Sequence, residues 1–391
     1  MSRPRTALPA AVIALGLTSL LTDVSSEMIV PLLPALLVSL HASATMLGLV
    51  EGVATAVASL LQLGSGWLAD RIPAKKPLVL LGYGLSALAR PLMALAGSPL
   101  AVLAVRVTDR IGKGVRSAPR DAILSLAAVP GEEGRTFGFH RAMDHAGAVI
   151  GPLVATALLA AGWKLRDVFW AAAVPGALAV LCVVVLREPR LAPVPRPQAS
   201  AAAPPVSRSL ATYLGVLAFF ALGNSSDTFL LLRARDLGVP IALLPMLWAL
   251  LHVSKVLSSS LFGALSDRVS RPRLVAAGWL VYALCYVGLG VATAPWHAWT
   301  IFIVYGGYHG LTEPVEKAMV KSLAPRDAQG RAFGLYNMVV GIMAIPAGLL
   351  TGWLWDAFGA LTALATGAAV ALIASLLLAL WQRARPAGQL G

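Results

Sequence analysis

Long runs of apolar residues cover most of the chain, and each run ends at a short cluster of glycine, proline or charged residues. Most runs reach about 20 residues, the length that a helix needs to cross the hydrocarbon core of a bilayer. The alternation of apolar and polar positions that a membrane β-barrel requires is missing, so the pattern predicts helices. The twelve predicted spans lie at residues 9–39, 44–69, 77–96, 99–124, 136–161, 166–187, 209–233, 241–266, 273–293, 297–322, 332–356 and 360–382.

The composition changes the picture by excluding whole classes of protein. Of the 391 residues, 58% are hydrophobic and 13% are charged, whereas a soluble domain carries about 25% charged residues. A soluble enzyme, a disordered chain and a secreted disulfide scaffold are therefore excluded. Cys182 and Cys285 lie in apolar runs without companion ligands and indicate neither a disulfide nor a zinc site.

The net charge of +13 is explained by topology. If the N-terminus is placed in the cytoplasm, 22 lysines and arginines fall in cytoplasmic segments, and four fall on the outer side: Lys164, Arg166, Arg233 and Arg235. Basic residues accumulate in cytoplasmic loops, so this asymmetry predicts a multi-pass protein of the cytoplasmic (inner) membrane with both termini inside. A nucleic-acid partner is not expected.

A segment rich in proline and alanine, residues 188–208, divides the predicted spans into six and six. Its composition cannot form a packed core, so it is interpreted as a flexible cytoplasmic linker. The expected domains are a six-helix bundle at 1–187 and a second six-helix bundle at 209–391.

Three short motifs occur in both halves in the same order. The pairs are Gly66–Arg71 with Gly263–Arg268, Ser25–Glu27 with Ser225–Asp227, and Arg135–Gly138 with Arg331–Gly334, at spacings of 197, 200 and 196 residues. Two parallel six-helix repeats are a known transporter architecture, in which the substrate site lies near the middle of the membrane. The repeat therefore predicts a transporter.

In these motifs the sequence resembles the major facilitator superfamily, over essentially its whole length. Asp70 and Arg71, followed by two lysines, are similar to the family's signature loop between helices 2 and 3, and Asp267 with Arg268 repeats that core. Arg106 matches the buried arginine of a second family motif.

Two further features refine this resemblance. The run Gly147-x-x-x-Gly151-Pro152 on the fifth span is similar to a motif associated with antiporters. The stretches Asp23–Glu27, Asp109–Gly114 and Gly334–Asn337 resemble an uncharacterised prokaryotic subgroup of the family. The resemblance implies an all-α integral membrane protein with twelve transmembrane helices in two pseudo-symmetric six-helix bundles. It also implies a conformational role for the signature loops and for Gly147, Gly151 and Pro152.

Charged residues well inside a span are the candidate functional residues, because a charge in hydrocarbon is costly unless it faces a cavity or a partner. Asp23 and Glu27 on the first span lie one helical turn apart on one face. Two such carboxylates repel each other, which favours proton uptake by one of them. Two interpretations stay open: proton coupling or substrate contact, and permanent pairing with a basic residue on the fourth or fifth span.

The fourth span has its charges on one face. Seven charges fall within an arc of about 140° at 100° per residue, which predicts a polar face towards an internal cavity. The deeper four are assigned to proton coupling or the substrate cavity: Arg106, Asp109, Arg110 and Lys113. The other three approach the cytoplasm and are interpreted as interfacial or gate charges: Arg116, Arg120 and Asp121.

On the fifth span, Asp144 shares a face with His140 and is a further candidate for proton coupling or the substrate cavity, with a charge-relay or inter-helix salt-bridge role. His140, Met143, Asp144 and His145 spread over too wide an angle for one ion, so no metal site is predicted.

In the second half, Asp227 occupies the repeat position of Glu27, and Lys255 and Glu313 are the other cavity candidates. Aligning the halves on Ala122 and Ala318 places Arg120 opposite Glu316, an inversion of charge that suits a gate. Arg90 and Glu51 are assigned equally to structure and function.

The expected function is secondary active transport by alternating access. No nucleotide-binding loop of the G-x-x-x-x-G-K-[ST] type is present, so the proton gradient is the expected energy source, without a cofactor. The fifth-span motif favours export by antiport, and the excess of bases on the fourth span favours an anionic or zwitterionic small molecule. The alternatives are uptake by symport and a non-transporting receptor or accessory subunit; a monomer is expected.

Overall fold

A computed structural model of the chain describes residues 8–69, 71–129, 132–188, 206–266, 268–324 and 329–384. Helices account for all the regular structure in these ranges, as the apolar runs predicted. They are α1 (Ala10–Glu27), α2 (Leu33–Ser39), α3 (Ala44–Ala69), α4 (Lys76–Leu92), α5 (Pro99–Ala127), α6 (Glu133–Ala160), α7 (Leu165–Ala171), α8 (Ala173–Val185), α9 (Arg208–Gly223), α10 (Thr228–Asp236), α11 (Leu244–Leu265), α12 (Arg271–Val291), α13 (Pro295–Leu323) and α14 (Gln329–Arg383).

Nine helical segments within the described residues are long and apolar enough to cross a membrane. Two more helices, α5 and α13, have 29 residues each and are long enough, but they are more polar. The membrane-spanning helical fold is thus confirmed, while the number of twelve spans stays a prediction. The two polar helices correspond to the predicted fourth and tenth spans, where the internal charges concentrate.

Several membrane segments are interrupted where the sequence disfavours a continuous helix. The first predicted span breaks between α1 and α2 at a 3₁₀ turn, Val30–Leu32, beside two prolines. The seventh breaks between α9 and α10. Helix α14 covers two predicted spans and is interrupted at Gly359, whose φ of 86° is readily available to glycine.

The described chain divides into two compact units. The first unit comprises Met1–Val30, Leu60–Ala96 and Ala104–Arg196, and the second comprises Pro31–Ser59, Gly97–Leu103 and Pro197–Gly391. Residues 189–205 of the predicted linker lie outside the described residues. The division into domains at 1–187 and 209–391 stays a prediction.

Each unit has its own core. In the first unit α1 packs against α6 and α8, and a fully buried cluster includes Leu15, Tyr83 and Leu124. In the second unit α13 packs against α11 and α12, and large aromatic side chains fill the space between helices. The rings of Phe220 and Trp279 stack there with centroids 4.4 Å apart, a separation typical of offset aromatic pairs.

Many large apolar side chains point away from the protein. Leu88, Leu100, Leu257 and Leu284 are each about 70% exposed. A water-soluble protein would not expose such residues on helix after helix, whereas lipid tails solvate them. These surfaces therefore fit contact with the hydrocarbon core.

Two of the four basic residues predicted to lie on the outer side close helix ends. Arg166 donates from its guanidinium to the carbonyl oxygens of Ala94 and Ala96, at 2.5 and 3.0 Å. Arg233 donates to the carbonyl oxygens of Leu289 and Ala292, at 3.1 and 2.8 Å. Terminal carbonyl groups of a helix have no partner within it, so these arginines have a structural role at those helix ends.

Asp356 in α14 caps the N-terminus of α3. Its two carboxylate oxygens accept hydrogen bonds from the backbone N–H groups of Ala44 and Thr45, both at 2.8 Å, and from the Thr45 hydroxyl at 2.6 Å. A negative charge at a helix N-terminus is favourable because the amide groups point towards it. Residues more than 300 positions apart are thereby joined within the second unit.

We expect Asp356→Ala to lower the free energy of unfolding by about 1 kcal/mol, because it removes the cap of α3. Thr45→Val removes one of the three hydrogen bonds and should cost less. Thermal unfolding of the purified protein in detergent measures both. Equal losses in the two variants would contradict a capping role for the carboxylate.

Candidate functional site

The repeated acidic motif lies at an interruption of a membrane helix in each unit. Glu27 is the last residue of α1, and Asp227 ends the non-helical stretch between α9 and α10. Interrupted helices leave backbone groups free of their usual hydrogen bonds, and transporters place substrate and ion sites at such points. The motif therefore marks corresponding helix breaks, which makes its surroundings the candidate functional site.

In the first unit, two glycines of α6 bring that helix against the carboxylates of α1. A Cβ atom on Gly147 would lie 2.5 Å from the carbonyl oxygen of Leu20 and 2.8 Å from Cβ of Asp23. A Cβ on Gly151 would lie 3.1 Å from Cβ of Glu27. Larger residues cannot occupy these places unless α1 moves. Pro152 follows directly and is buried in the same helix.

Asp23 and Glu27 differ in their local contacts. Glu27 is half-buried and accepts a hydrogen bond from the Ser26 hydroxyl at 3.3 Å. Asp23 is also half-buried, but its carboxylate makes no hydrogen bond or ion pair with any residue in the described ranges. Lys113 of α5 is exposed, and its charge interacts with both carboxylates. Asp23 is therefore not held in a permanent ion pair within the described part of the chain.

Asp144 of α6 contacts three polar side chains, one on α1 and two on α6. It accepts a short hydrogen bond from the Ser19 hydroxyl. Its Oδ2 lies 3.6 Å from Nδ1 of His140 and 3.8 Å from a guanidinium nitrogen of Arg141. Both charged contacts lie within α6, and the contact with α1 is the hydrogen bond from Ser19, so an inter-helix salt bridge of Asp144 stays a prediction. Across the described ranges, no three His, Cys, Asp or Glu side chains converge as a metal ion would require.

Asp109 of α5 is held in a buried ion pair. Its Oδ1 lies 3.0 Å from Nε of Arg90, and the two side chains are 6% and 5% exposed. Arg106 approaches Oδ2 at 3.8 Å, and Arg90 also donates to the carbonyl oxygen of Thr22 at 2.9 Å. The pair thereby ties α1, α4 and α5 together. Two of the predicted cavity residues, Arg106 and Asp109, thus lie in a structural network.

The other charges of α5 occupy different environments. Arg116 is buried, donates to the Ser86 hydroxyl at 2.6 Å and has its guanidinium 4.5 Å from the ring centroid of Tyr83. Arg110 is half-buried. Arg120 donates to the adjacent Asp121 at 2.8 Å.

In the second unit, Asp227 is the centre of a polar cluster. Its Oδ2 lies 3.0 Å from Nζ of Lys255 and 3.3 Å from Nε2 of His309, and its Oδ1 accepts a hydrogen bond from the Tyr305 hydroxyl at 2.7 Å. The contact with His309 has the length of an ion pair without hydrogen-bond alignment. Nδ1 of His309 lies 3.1 Å from Oε1 of Glu313. Asp227, Lys255 and Glu313 are therefore brought together.

The predicted gate residues occupy several different environments. Asp70 and Asp267 lie outside the described residues. Arg71 is exposed and covers the ring of Trp67, with 3.7 Å between its guanidinium carbon and the ring centroid, and Arg268 is exposed. Glu316 is buried and accepts a hydrogen bond from the Tyr336 hydroxyl at 2.8 Å.

The sequence pattern alone does not identify the role of three residues at the centre of these clusters. Arg90 was assigned equally to structure and function, and Tyr305 and His309 were not singled out. A signal for His309 was present, because the alignment of Ala122 with Ala318 places it at the repeat position of Lys113. No sequence signal distinguishes Tyr305 from the other tyrosines.

Gly147→Ala should lower the free energy of unfolding by about 1–3 kcal/mol, because the added methyl group overpacks the contact between α1 and α6. Gly138 lies in the same helix with no atom near its would-be Cβ. Gly138→Ala should therefore be neutral or slightly stabilising. Thermal unfolding of both variants tests this contrast, and a tolerated Gly147→Ala would refute the close contact.

Asp109→Asn should lower the free energy of unfolding by about 3–5 kcal/mol, because it leaves Arg90 buried without its carboxylate. Asp121 of the same helix has a side chain that is 47% exposed, and Asp121→Asn should cost less than about 1 kcal/mol. Unfolding in detergent compares the two. Equal stabilities would show that Asp109 is not a structural anchor.

Comparisons with known proteins agree with this architecture. The sequence model described as Major Facilitator Superfamily matches residues 15–346 and 212–390. An uncharacterized MFS-type transporter of Methanocaldococcus jannaschii is 32% identical over 375 residues, which cover 93% of each chain. The multidrug resistance protein MdtH of Cronobacter sakazakii is 27% identical over 336 residues, covering 83% of this chain and 81% of that protein.

Solved structures share the fold. A bacterial homolog of the human lysosomal transporter Spinster, in an inward-facing and unoccupied conformation, superposes with a TM-score of 0.74 at 16% identity and covers 96% of each chain. A peptide transporter, POT, superposes with a TM-score of 0.79 at 16% identity over 97% of this chain and 96% of that chain.

Proposed function

Because the chain belongs to the Major Facilitator Superfamily and is a secondary transporter of that family rather than an enzyme, we propose that it exports a small molecule in exchange for protons. The proposed location is the cytoplasmic membrane, with both termini in the cytoplasm, and the proposed functional state is a monomer. Alternating access would then expose the site to each side in turn, driven by the proton gradient without a cofactor.

The environment of Asp23 carries this proposal. A carboxylate inside a membrane helix is costly unless it is paired or reached by water, and Asp23 has neither a hydrogen bond nor an ion pair in the described ranges. Its electrostatic neighbours are Asp144, Lys113, Glu27 and Arg116. Two acids and two bases around an unpaired carboxyl suit a group that gains and loses a proton.

The direction of transport is proposed from two observations. Gly147 and Gly151 form the close contact between α1 and α6 at the residues of the antiporter-like motif. A relative over most of the chain is named a multidrug resistance protein, which suits export. Proton-driven uptake by symport is the alternative, and it would use the same carboxyl groups.

An anionic or zwitterionic substrate is proposed from the distribution of charge in the first unit. Arg90 and Arg106 are engaged by Asp109, whereas Lys113 is exposed. Lys113 is thus the base that an anionic group of a substrate would reach most easily.

Asp23→Asn and Glu27→Gln should each reduce solute flux driven by a pH gradient to background, because the variant side chains cannot release a proton. Exchange of solute for solute across the membrane should continue. The solute is selected beforehand by thermal stabilisation of the purified protein with a panel of small anions, zwitterions and cations. Movement of the radiolabelled solute in proteoliposomes measures both flux and exchange, and a pH-sensitive dye measures the accompanying protons.

Asp167 is the control, because its carboxylate accepts from the exposed N-terminal backbone of α7 at Lys164. Asp167→Asn should keep both activities. Intact coupling in the Asp23 and Glu27 variants would refute their assignment. If no compound moves and no proton follows, a non-transporting receptor would be the better interpretation.

A further inference from the structure

Glu316 is a buried acid whose surroundings differ from those of the other candidate carboxylates. Its relative exposure is 6%, compared with 4% for Asp109. Asp109 has two arginines within 4.0 Å, whereas Glu316 has no ion pair with any residue in the described ranges and accepts one hydrogen bond, from Tyr336. The chain thus buries an acid without the cation that normally accompanies it.

Aromatic side chains from three other helices surround this carboxyl group. Tyr213 of α9, Trp279 of α12 and Tyr336 of α14 are all buried, and each interacts with Glu316 electrostatically or by hydrogen bonding. The hydroxyl of Tyr213 and the indole nitrogen of Trp279 have no hydrogen-bond partner of standard geometry in the described part of the chain. Polar hydrogens thus lie around one acid in an otherwise apolar pocket.

Several titratable or charged groups on α9, α13 and α14 interact with Glu316. They are Tyr213 of α9, Tyr336 of α14, and Tyr308, Glu313 and Lys317 of α13. Lys317 and Glu313 are exposed, so the lysine does not form a buried ion pair with Glu316. Glu313 lies one turn away along α13 and supplies a titratable group at the surface.

These surroundings can stabilise both the neutral and the ionised form of the Glu316 carboxyl group. An ionised carboxylate is costly in an apolar pocket without a cation, which favours the neutral form. The hydroxyl and indole groups can donate to the carboxylate when it forms, which lowers the cost of ionisation. A carboxyl group with both options can exchange a proton, whereas a permanently paired one such as Asp109 cannot.

We propose that Glu316 is a second proton-binding carboxyl of the transporter, positioned by the Tyr336 hydroxyl. An O–H bond forms on the carboxylate when it takes a proton from water on one side, and the same bond breaks when the proton returns to water on the other side. Use of this site in transport rests on the proposed proton coupling. Protonation of Glu316 itself does not depend on it.

Infrared spectroscopy of the full-length protein in lipid nanodiscs tests the proposal without a substrate. A protonated carboxyl group has a carbonyl-stretch band separate from that of a carboxylate. The difference spectrum between the natural protein and Glu316→Gln should contain such a band, and the band should disappear as the pH is raised. Glu313→Gln is the matched control on the same helix, and its difference spectrum should lack the band at neutral pH.

Tyr336→Phe tests the positioning role. The variant removes the hydroxyl that donates to Glu316 but keeps the ring, so the carbonyl band should move to higher frequency while remaining sensitive to Glu316→Gln. An unchanged frequency would refute positioning by Tyr336. A merely structural role of the ring would not move the band.

Three results would overturn the proposal. Absence of the band at every pH would mean that Glu316 is permanently ionised, and a band that persists at every pH would mean that it never releases its proton. The third result would show that Glu316 forms a charge pair with Arg120. In that case Arg120→Glu and Glu316→Arg would each lower the unfolding temperature, and the double exchange would restore it. If the natural protein shows the titrating band but no proton-coupled flux, the proposed function is refuted and protonation of Glu316 is not.

Discussion

The cost of a charge in hydrocarbon is the constraint on which the rest of the structure depends. Such a charge is stable beside a partner or in contact with water. The charged residues in the described ranges fall into two groups, those with a charged partner and those without one. Asp109 is paired with two arginines, and Asp227 is paired with Lys255 and a tyrosine hydroxyl. Asp23 and Glu316 have no cation within 4.0 Å in the described ranges. Paired charges hold helices in place, whereas the unpaired acids are the proposed proton-binding groups.

Small residues decide where these charges meet, because they set how closely two helices approach. Gly147 and Gly151 bring α6 against the carboxylates of α1. In the second unit, Gly306 of α13 packs against Ser254 of α11, whose hydroxyl donates to the Ile303 carbonyl at 2.6 Å. Lys255 is the next residue along α11. Glycine contacts therefore position charged groups in both units, without taking part in any chemistry themselves.

The sequence predicted what depends on local pattern and missed what depends on the packing between helices. The apolar runs predicted the helices, and the break at Gly359 falls between the last two predicted spans. The one-sided charge of α5 was visible from its periodicity. The pairing of Arg90 with Asp109 was not, because it depends on the relative rotation of α4 and α5. Burial of Glu316 was likewise hidden, since an isolated helix does not show which neighbours cover its polar face.

The internal repeat explains how one framework carries two kinds of chemistry. The alignment that places Arg120 opposite Glu316 also places Lys113 opposite His309. Lys113 interacts with the acids of α1, and His309 lies 3.3 Å from Asp227 at the corresponding helix break. In both halves a base on the polar helix thus faces an acid at the break. The equivalent residues Arg120 and Glu316 do not follow this rule. The first half has a cation at this repeat position, and the second half has a buried acid. A framework kept for symmetric packing therefore leaves individual positions free to diverge in charge, and the proposed exchange of solute for protons would use that divergence.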